Sequence, residues 1–467
     1  MPLDNMDFFS LLPESLILVI LSFLPFKEAV ARTCVLNKKW LNIWQSGTNN
    51  INFNENFFVD STSDEIKQAQ RNVFINFITN WIEHFTNRDI NKFSLIVSNP
   101  QTCRDTVERC VAFAMQRGVR DLNLDFSDPN WDENDLGDHD ALFQLPSFVY
   151  QLGSSLESLK LYSCGFGVQD LFNFSALKDV SLGWIEVRTK TLETLLLTCP
   201  TIESLSLEKC WNSANISLND DQPVGLTRLV INNCDSEYFI FNAPNLKYFK
   251  YSGAVFTSDI YVRQNVIEEV FIDFAQESEF YERGNELCKI LDDFASAKIL
   301  TVCSYLLQVV PSGDEPVRIG TDMNVKHLIL KTQIHPHEFC GFEFLLNSCP
   351  MLEKITLDIG QRTIFPEEDY EAPFSGIDLK KYWHRRRVTP QCLRSSLKAV
   401  EVIGSRTTHE ELVTIAYLMF AGKVLEQINI NLFKENDDGL NELRHGRTSR
   451  VLAKAKKASE NLQININ

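Results

Sequence analysis

Motifs that carry chemistry are what this sequence lacks. No G-x-x-x-x-G-K-[ST], G-x-S-x-G or H-E-x-x-H pattern occurs in its 467 residues, so phosphate-cradling, nucleophile-elbow and zinc-protease readings have no anchor. Twelve cysteines contain no C-x-x-C pair; Cys103/Cys110, Cys199/Cys210 and Cys340/Cys349 are separated by 7, 11 and 9 positions, none a zinc-knuckle spacing. His335, His337 and Cys340 fall close together, but His-Pro-His in a turn reads as a surface loop, and neither a metal nor a cofactor is expected. Long apolar runs are missing too. The stretch from Leu16 to Phe26 is 11 residues and contains Ser22 and Pro25, whereas a membrane span needs roughly 20. Asp4, Asp7 and Glu14 stand where a secretory signal would carry basic residues. Positive charge is in deficit, 45 Lys and Arg against 62 Asp and Glu, for a net charge of −17. That balance argues against a general nucleic-acid binder. The expectation is a chain of cytosol or nucleus with reduced thiols, partnered by neither nucleic acid nor membrane.

What is present begins with a short hydrophobic head. LPESLILVILSFLPFKEAV (12–30) runs into ARTCVLNKKWLNIW (31–44), and Leu16 to Leu21 is unbroken apolar sequence. A helix apolar on every side must be covered on every side, and three short helices bury too little to do that alone. Pro13 suits a first helical turn, and Leu24-Pro25 ends that helix, because a residue before proline leaves the α region. Pro25 then opens a second helix to about Cys34. Asn37 caps a third, which carries Trp40 and Trp44 on one face. Leu12-Pro13, Ile20-Leu21, Leu24-Pro25, Lys27, Val35-Leu36, Lys38-Lys39-Trp40 and Trp44 together resemble an F-box, particularly its plant form. Asn37 departs from the serine usual there, but either residue caps a helix.

The body repeats itself. A frame of apolar-x-x-apolar-x-apolar recurs as VRDLNL (119–124), LESLKL (156–161), LKDVSL (177–182), IESLSL (202–207), LTRLVI (226–231) and LKYFKY (246–251). It continues as IEEVFI (267–272), VKHLIL (325–330), LEKITL (352–357), LKAVEV (397–402) and LEQINI (425–430), with weaker copies INKFSL (90–95) and AKILTV (297–302). The thirteen frames have their central apolar residue at 93, 122, 159, 180, 205, 229, 249, 270, 300, 328, 355, 400 and 428, mostly at the leucine-rich-repeat period of roughly 20–30 residues. Cys164, Cys210 and Cys234 complete the longer L-x-x-L-x-L-x-x-C form and take a structural place at the inner turn. Cys199 and Cys349 mark where a return meets the next strand. Each strand is too short to stand alone; stacking builds one core. The fold class expected is α/β, a short all-α F-box head followed by an irregular leucine-rich-repeat solenoid, with parallel strands inside and irregular or helical returns outside.

Two inserts interrupt the array, FSDPNWDENDLGDHD (126–140) and a longer one that includes PEEDY (366–370) and LKKYWHRRRV (379–388). Both read as solvated loops, and Arg385, Arg386 and Arg387 only weakly suggest nuclear localisation. Trp383, TPQCL (389–393), SSLKAVEV (395–402), Gly404, HEELVTIAYLMFAG (409–422) and VLEQINI (424–430) resemble the FBD module of plant F-box proteins, which implies a C-terminal FBD-like cap. Residues 410–420 are expected as an amphipathic helix facing inward with Leu412, Ile415, Ala416 and Met419, and 444–460 as a frayed basic tail. The domain division is then 1–50 F-box, 51–375 leucine-rich repeats and 376–467 FBD-like region.

The F-box resemblance implies a substrate-recognition adaptor of an SCF-type ubiquitin ligase, not an enzyme. It docks on a Skp-type adaptor and through it on cullin, and presents an unknown protein substrate held by the repeats. The adaptor contacts implied are Leu12, Pro13, Leu24, Pro25, Phe26 and Lys27, with Ile20 and Leu21 between interface and internal packing. The strand frame adds an inference about the substrate. Outward positions are mostly polar, as at Asp179, Ser181, Ser204, Ser206, Lys354 and Thr356, but Val230, Phe271 and Ile329 are not. With Arg228, Tyr248, Lys250 and Glu269 they define a mixed apolar and charged patch of the kind enriched in binding hot spots. Two alternatives stay open: a small-molecule-sensing F-box receptor, and a protein-interaction scaffold without ubiquitin.

Overall fold

A computed structural model describes residues 49–59, 63–85, 89–128, 142–165, 167, 173–211, 215–218, 225–234, 238–255, 260–263, 267–274, 277, 279–366, 379–384, 388–434 and 438–467. The chain forms two compact units, 1–213 and 214–467.

The first unit has strands β1 (Asn50–Asn54), β2 (Lys92–Ile96), β3 (Asp121–Asp125), β4 (Phe143–Gln144), β5 (Ser158–Tyr162), β6 (Cys164–Gly165), β7 (Asp179–Gly183) and β8 (Ser204–Glu208). All but β4 and β6 pair in chain order as a parallel sheet. The register joins Phe93, Leu122, Leu159, Val180 and Leu205 in one row and Leu95, Leu124, Leu161, Leu182 and Leu207 in the next. Both rows are buried, and so are the leading frame residues Val119, Leu156, Leu177 and Ile202. Three inward apolar groups per repeat thus account for the frame. The helix Arg104–Met115 covers the core with Val107, Cys110, Val111 and Ala114, the i, i+3, i+4, i+7 stripe of an amphipathic helix. Near β1, the buried carboxylate of Glu55 accepts from Arg71 Nε at 2.7 Å and from the Ser98 amide at 2.8 Å, so this buried charge is paired and hydrogen-bonded.

The same turn closes several strands. Ser163, Trp184, Lys209 and Asn233 follow β5, β7, β8 and the first strand of the second unit's sheet, with φ of 52°, 50°, 49° and 52°. This left-handed step sends the next side chain inward, and Cys164, Ile185, Cys210 and Cys234 are all buried there. Cys210 Sγ donates to Leu182 O at 3.5 Å. Burial raises the Cys199 thiol to about 11 and the Cys303 thiol to about 12, as for inert structural thiols.

The second unit has β9 (Asn215–Leu218), β10 (Arg228–Asn232), β11 (Tyr238–Asn242), β12 (Tyr248–Ser252), β13 (Ile260–Arg263), β14 (Glu269–Asp273), β15 (Ile299–Cys303) and β16 (His327–Thr332), then β17 (Lys354–Ile359), β18 (Ala399–Ser405), β19 (Gln427–Leu432) and β20 (Gln463–Ile466). β10, β12 and β14 to β20 form a parallel sheet in chain order, while β13, β11 and β9 pair separately. The returns after β10 and β12 therefore run as strands, whereas helices such as Gly284–Asp293 and Phe339–Ser348 follow β14 and β16. Leu229, Phe249, Val270, Leu300, Leu328, Ile355, Val400 and Ile428 share one buried row. Each of the thirteen frames is a strand, held in one register within its own unit. β1 and β20 are strands that the frame did not mark.

The C-terminal stretch differs from expectation in four places. The helix His409–Ala421 buries Glu411, Thr414 and Tyr417 besides Leu412, Ile415 and Met419, so it is covered over most of its circumference. Residues 444–454 do not fray; they belong to the helix Asp438–Lys454, in which Thr448 and Leu452 are buried. In LKKYWH, Tyr382 and Trp383 are buried rather than solvated. Trp383 Nε1 donates to Thr414 Oγ1 at 3.0 Å and its ring stacks on Tyr417 at 4.4 Å. His337 is buried as well, its Nδ1 3.1 Å from Phe365 O, so His-Pro-His is no surface loop. Arg385, Arg386 and Arg387, with most of both inserts, lie outside the described residues.

Candidate functional site

Leu12, Pro13, Ile20, Leu21, Leu24, Pro25, Phe26 and Lys27, the residues implied to meet the adaptor, lie outside the described residues, as do Trp40 and Trp44. The candidate substrate patch lies within the second unit.

Alternation along a strand sends every second side chain out of the core, and the register sets those side chains in rows. One row runs Arg228, Tyr248, Glu269, Ile299, His327 and Lys354; the next runs Val230, Lys250, Phe271, Thr301, Ile329 and Thr356. The Arg228 guanidinium stands 3.8 Å from the Tyr248 ring centre. Lys250 Nζ is 5.0 Å from the Phe271 ring centre, and Lys331 Nζ approaches the same ring to 4.5 Å. Phe271 is half-exposed, between the buried Val270 and Ile272. Arg228, Tyr248, Glu269, Val230, Lys250 and Phe271 are therefore neighbours on three strands. Ile329 stands apart, separated from Phe271 by Thr301 on β15.

Several groups on this face were not read from the sequence. Lys331 and Asp273, 3.2 Å apart, occupy the outward position after the last inward residue of the frame, one step beyond where the pattern was followed. Along the same face His327 Nε2 lies 2.9 Å from Thr356 Oγ1, Thr356 Oγ1 donates to Glu401 Oε2 at 3.4 Å, and Lys354 Nζ is 2.7 Å from that oxygen. Because the threonine hydroxyl donates to Glu401, it accepts from His327, which places the imidazole proton on Nε2. Burial, then Lys354, hold the His327 pKa below its ordinary value. The hydrogen bond from Lys354 lowers that of Glu401. A weak frame, AKILTV, hid Ile299 and Thr301.

What these groups offer is stacking, ion pairing and hydrogen bonding on a preformed sheet. Among the described residues no three His, Cys, Asp or Glu side chains converge as a metal site; His335 Nδ1 accepts from the His337 amide, and His337 Nδ1 lies 3.1 Å from Phe365 O.

Comparison with known proteins adds an independent line. The profile described as "At1g61320/AtMIF1, LRR domain" matches residues 81–466, and the profile described as "F-box domain" matches residues 9–52. An Arabidopsis thaliana protein named as an F-box/LRR-repeat protein, At1g56400, is 34% identical over 429 residues, covering 89% of this chain and 87% of its own. F-box protein At3g62230 of the same organism is 31% identical over 434 residues, 91% of each chain. F-box/FBD/LRR-repeat protein At1g13570, also from Arabidopsis thaliana, is 26% identical over 437 residues, 92% of each.

Proposed function

The chain belongs to the F-box/leucine-rich-repeat family, and on that premise we propose that it is a substrate-recognition subunit of an SCF-type ubiquitin ligase. Its F-box docks on a Skp-type adaptor and so on cullin, and its repeats hold a protein to be ubiquitinated. In this reading it catalyses nothing. It raises the effective concentration of a lysine on the captured protein near the charged conjugating enzyme, in cytoplasm or nucleus. The observation that carries the proposal is the F-box match at 9–52 joined in one chain to a sheet face with half-exposed aromatics under cations. The residues assigned to the adaptor are Leu12, Pro13, Leu24, Pro25, Phe26 and Lys27, with Ile20 and Leu21 shared with internal packing. Those assigned to the captured protein are Arg228, Val230, Tyr248, Lys250, Glu269, Phe271 and Ile329. We assign residues 376–467 to an FBD-like unit that closes the array. The burial of Thr448 and Leu452 supports this reading.

The test is co-purification with a Skp-type adaptor. Replacing Leu12 and Pro13 together by alanine is expected to weaken adaptor capture while leaving the thermal unfolding of the repeat units in place. Adaptor recovery equal to that of the unaltered chain would reject the docking assignment.

A further inference from the structure

Two neighbouring strands of the second unit have the same sequence. Residues 427–431, within β19, and 463–467, which take in β20, both read QININ. They lie parallel and in register, Gln427 against Gln463, Ile428 against Ile464 and Ile430 against Ile466. Their outward amides form a ladder: Asn465 Nδ2 donates to Asn429 Oδ1 at 2.9 Å, and Asn467 Nδ2 to Asn431 Oδ1 at 3.2 Å. Such in-register asparagine ladders add to the pairing of the backbones. The edge of one QININ strand is thus seen to accept another.

The other side of β20 is bare, so the unit that ends the array is itself open at its last strand. Among the described residues no strand pairs there. The inward Ile464 and Ile466 are half-exposed, whereas Ile428 and Ile430 on β19 are fully buried. An end strand need not be left so. In the first unit the inward Ile51 and Phe53 of β1 are buried, with the Phe77 and Trp81 rings edge-on to Phe53 at 6.2 and 5.3 Å. The backbone of β20 alternates as well. Gln463 N donates to Glu426 O at 2.9 Å, Asn467 N donates to Ile430 O at 2.8 Å, and Asn467 O accepts from Leu432 N at 2.9 Å. Residues 463 and 467 therefore face β19, and the N–H and C=O groups of Ile464 and Ile466 point to the open side. Natural sheet edges are guarded by charge, proline or a bulge. Residues 463–467 have no charged side chain and no proline, and the register with β19 is unbroken.

The pattern of this edge, polar–Ile–Asn–Ile–polar, is symmetric about Asn465. Turned antiparallel against itself, it sets Ile464 opposite Ile466 of a second copy, and Asn465 opposite its own equivalent. The isoleucines, whose backbone groups face the open side, then form hydrogen-bonded pairs that exchange both bonds, and the asparagines form the closer non-hydrogen-bonded pair. Both copies keep their isoleucines on the core side. We propose that β20 pairs in this way with β20 of a second copy of the chain, an isologous dimer about a twofold axis at Asn465. The interface is small and its association correspondingly weak. Sedimentation of the full-length chain alone, from about 1 to 100 µM, tests it apart from adaptor docking, and the mean mass should rise from monomer to dimer. Ile464→Pro removes an outward N–H while sparing the bonds to β19; the loss of two hydrogen bonds per dimer should weaken association by about tenfold or more. Asn465→Lys and Asn465→Asp, changes at an exposed residue, each set like charges face to face on the axis. Each alone should dimerise about fivefold more weakly, and their equimolar mixture should recover a heterodimer even if Ile464→Pro folds poorly. A mass that stays monomeric throughout overturns the proposal. So does a mixture that associates no better than either Asn465 variant alone. Growth beyond the dimer that Ile464→Pro abolishes overturns it too, since head-to-tail pairing with β1 of another copy would not close.

Discussion

Phe271 separates two roles that a phenylalanine in a repeat can have. On the inner side of the sheet Phe249 is fully buried and stacks on Phe294 at 4.9 Å; truncating such a ring to alanine costs about 3–5 kcal/mol. Phe271 on the outer side is half-exposed, and what it holds is two lysine ammoniums at 4.5 and 5.0 Å. Cation–π contacts at exposed sites contribute about 0.5–1 kcal/mol each. With the partial burial of the ring, Phe271→Ala should cost about 2 kcal/mol of stability. For a unit of this size that is a fall in melting temperature of about 4–8 °C. Capture of the substrate should suffer as well: truncating a hot-spot aromatic costs about 2 kcal/mol or more of binding, about a thirtyfold loss. The assay pairs thermal unfolding of Phe271→Ala and Phe249→Ala with quantitative affinity capture from cells in which the proteasome is blocked. Proteins held by the unaltered chain and lost from Phe271→Ala, against an adaptor yield that does not change, are the expected outcome. The reasoning is refuted if Phe271→Ala melts as early as Phe249→Ala, or if it retains every captured protein at the original yield.

Two further outcomes follow from the second unit. At Gly341 an added Cβ would lie 2.0 Å from the backbone oxygen of Leu307, so Gly341→Ala must push apart two buried helices; it should cost about 3 kcal/mol or more in chemical denaturation, and an unchanged midpoint would show that the helices are not this close. His327 has its pKa lowered by burial and by Lys354. The unfolded chain therefore takes up the proton first, and stability falls as pH drops from about 6.5 through the folded value. Glu401, its pKa lowered by the hydrogen bond from Lys354, adds its loss only below the ordinary carboxylate range. His327→Gln should flatten the stability profile between pH 7 and 5.5 relative to the unaltered chain, and parallel profiles would contradict the assignment.

The thirteen framed strands were legible because one physical requirement repeats: Val119, Leu122 and Leu124, or Leu226, Leu229 and Ile231, must all face the core. Where that requirement relaxes, legibility ends. β1 has Thr48 and β20 has Asn461 at the leading position, and their outward residues are asparagine and glutamine, so neither strand repeats the frame. Tyr382 and Trp383 were hidden by Lys380, Lys381 and His384 around them, and the helix Asp438–Lys454 by how few of its side chains face inward.

The outward rows carry information of a different kind. An inward leucine is dictated by packing and says nothing about partners. An outward residue on these strands is not so constrained: β8 presents Ser204 and Ser206, β7 Asp179 and Ser181, and the strands form equally well. Tyr248 under Arg228, and Phe271 between Lys250 and Lys331, place aromatic surface at positions where neighbouring strands carry serine. Half-exposed rings cost solvation and contribute little to the core, so the fold alone does not account for them. A bound surface that covers them does, since burial of the rings and desolvation of their cations strengthen the contacts already made. Position on the outer face together with a chemistry unlike that of neighbouring strands is therefore the feature on which we propose this part of the sheet as the place where a partner is held.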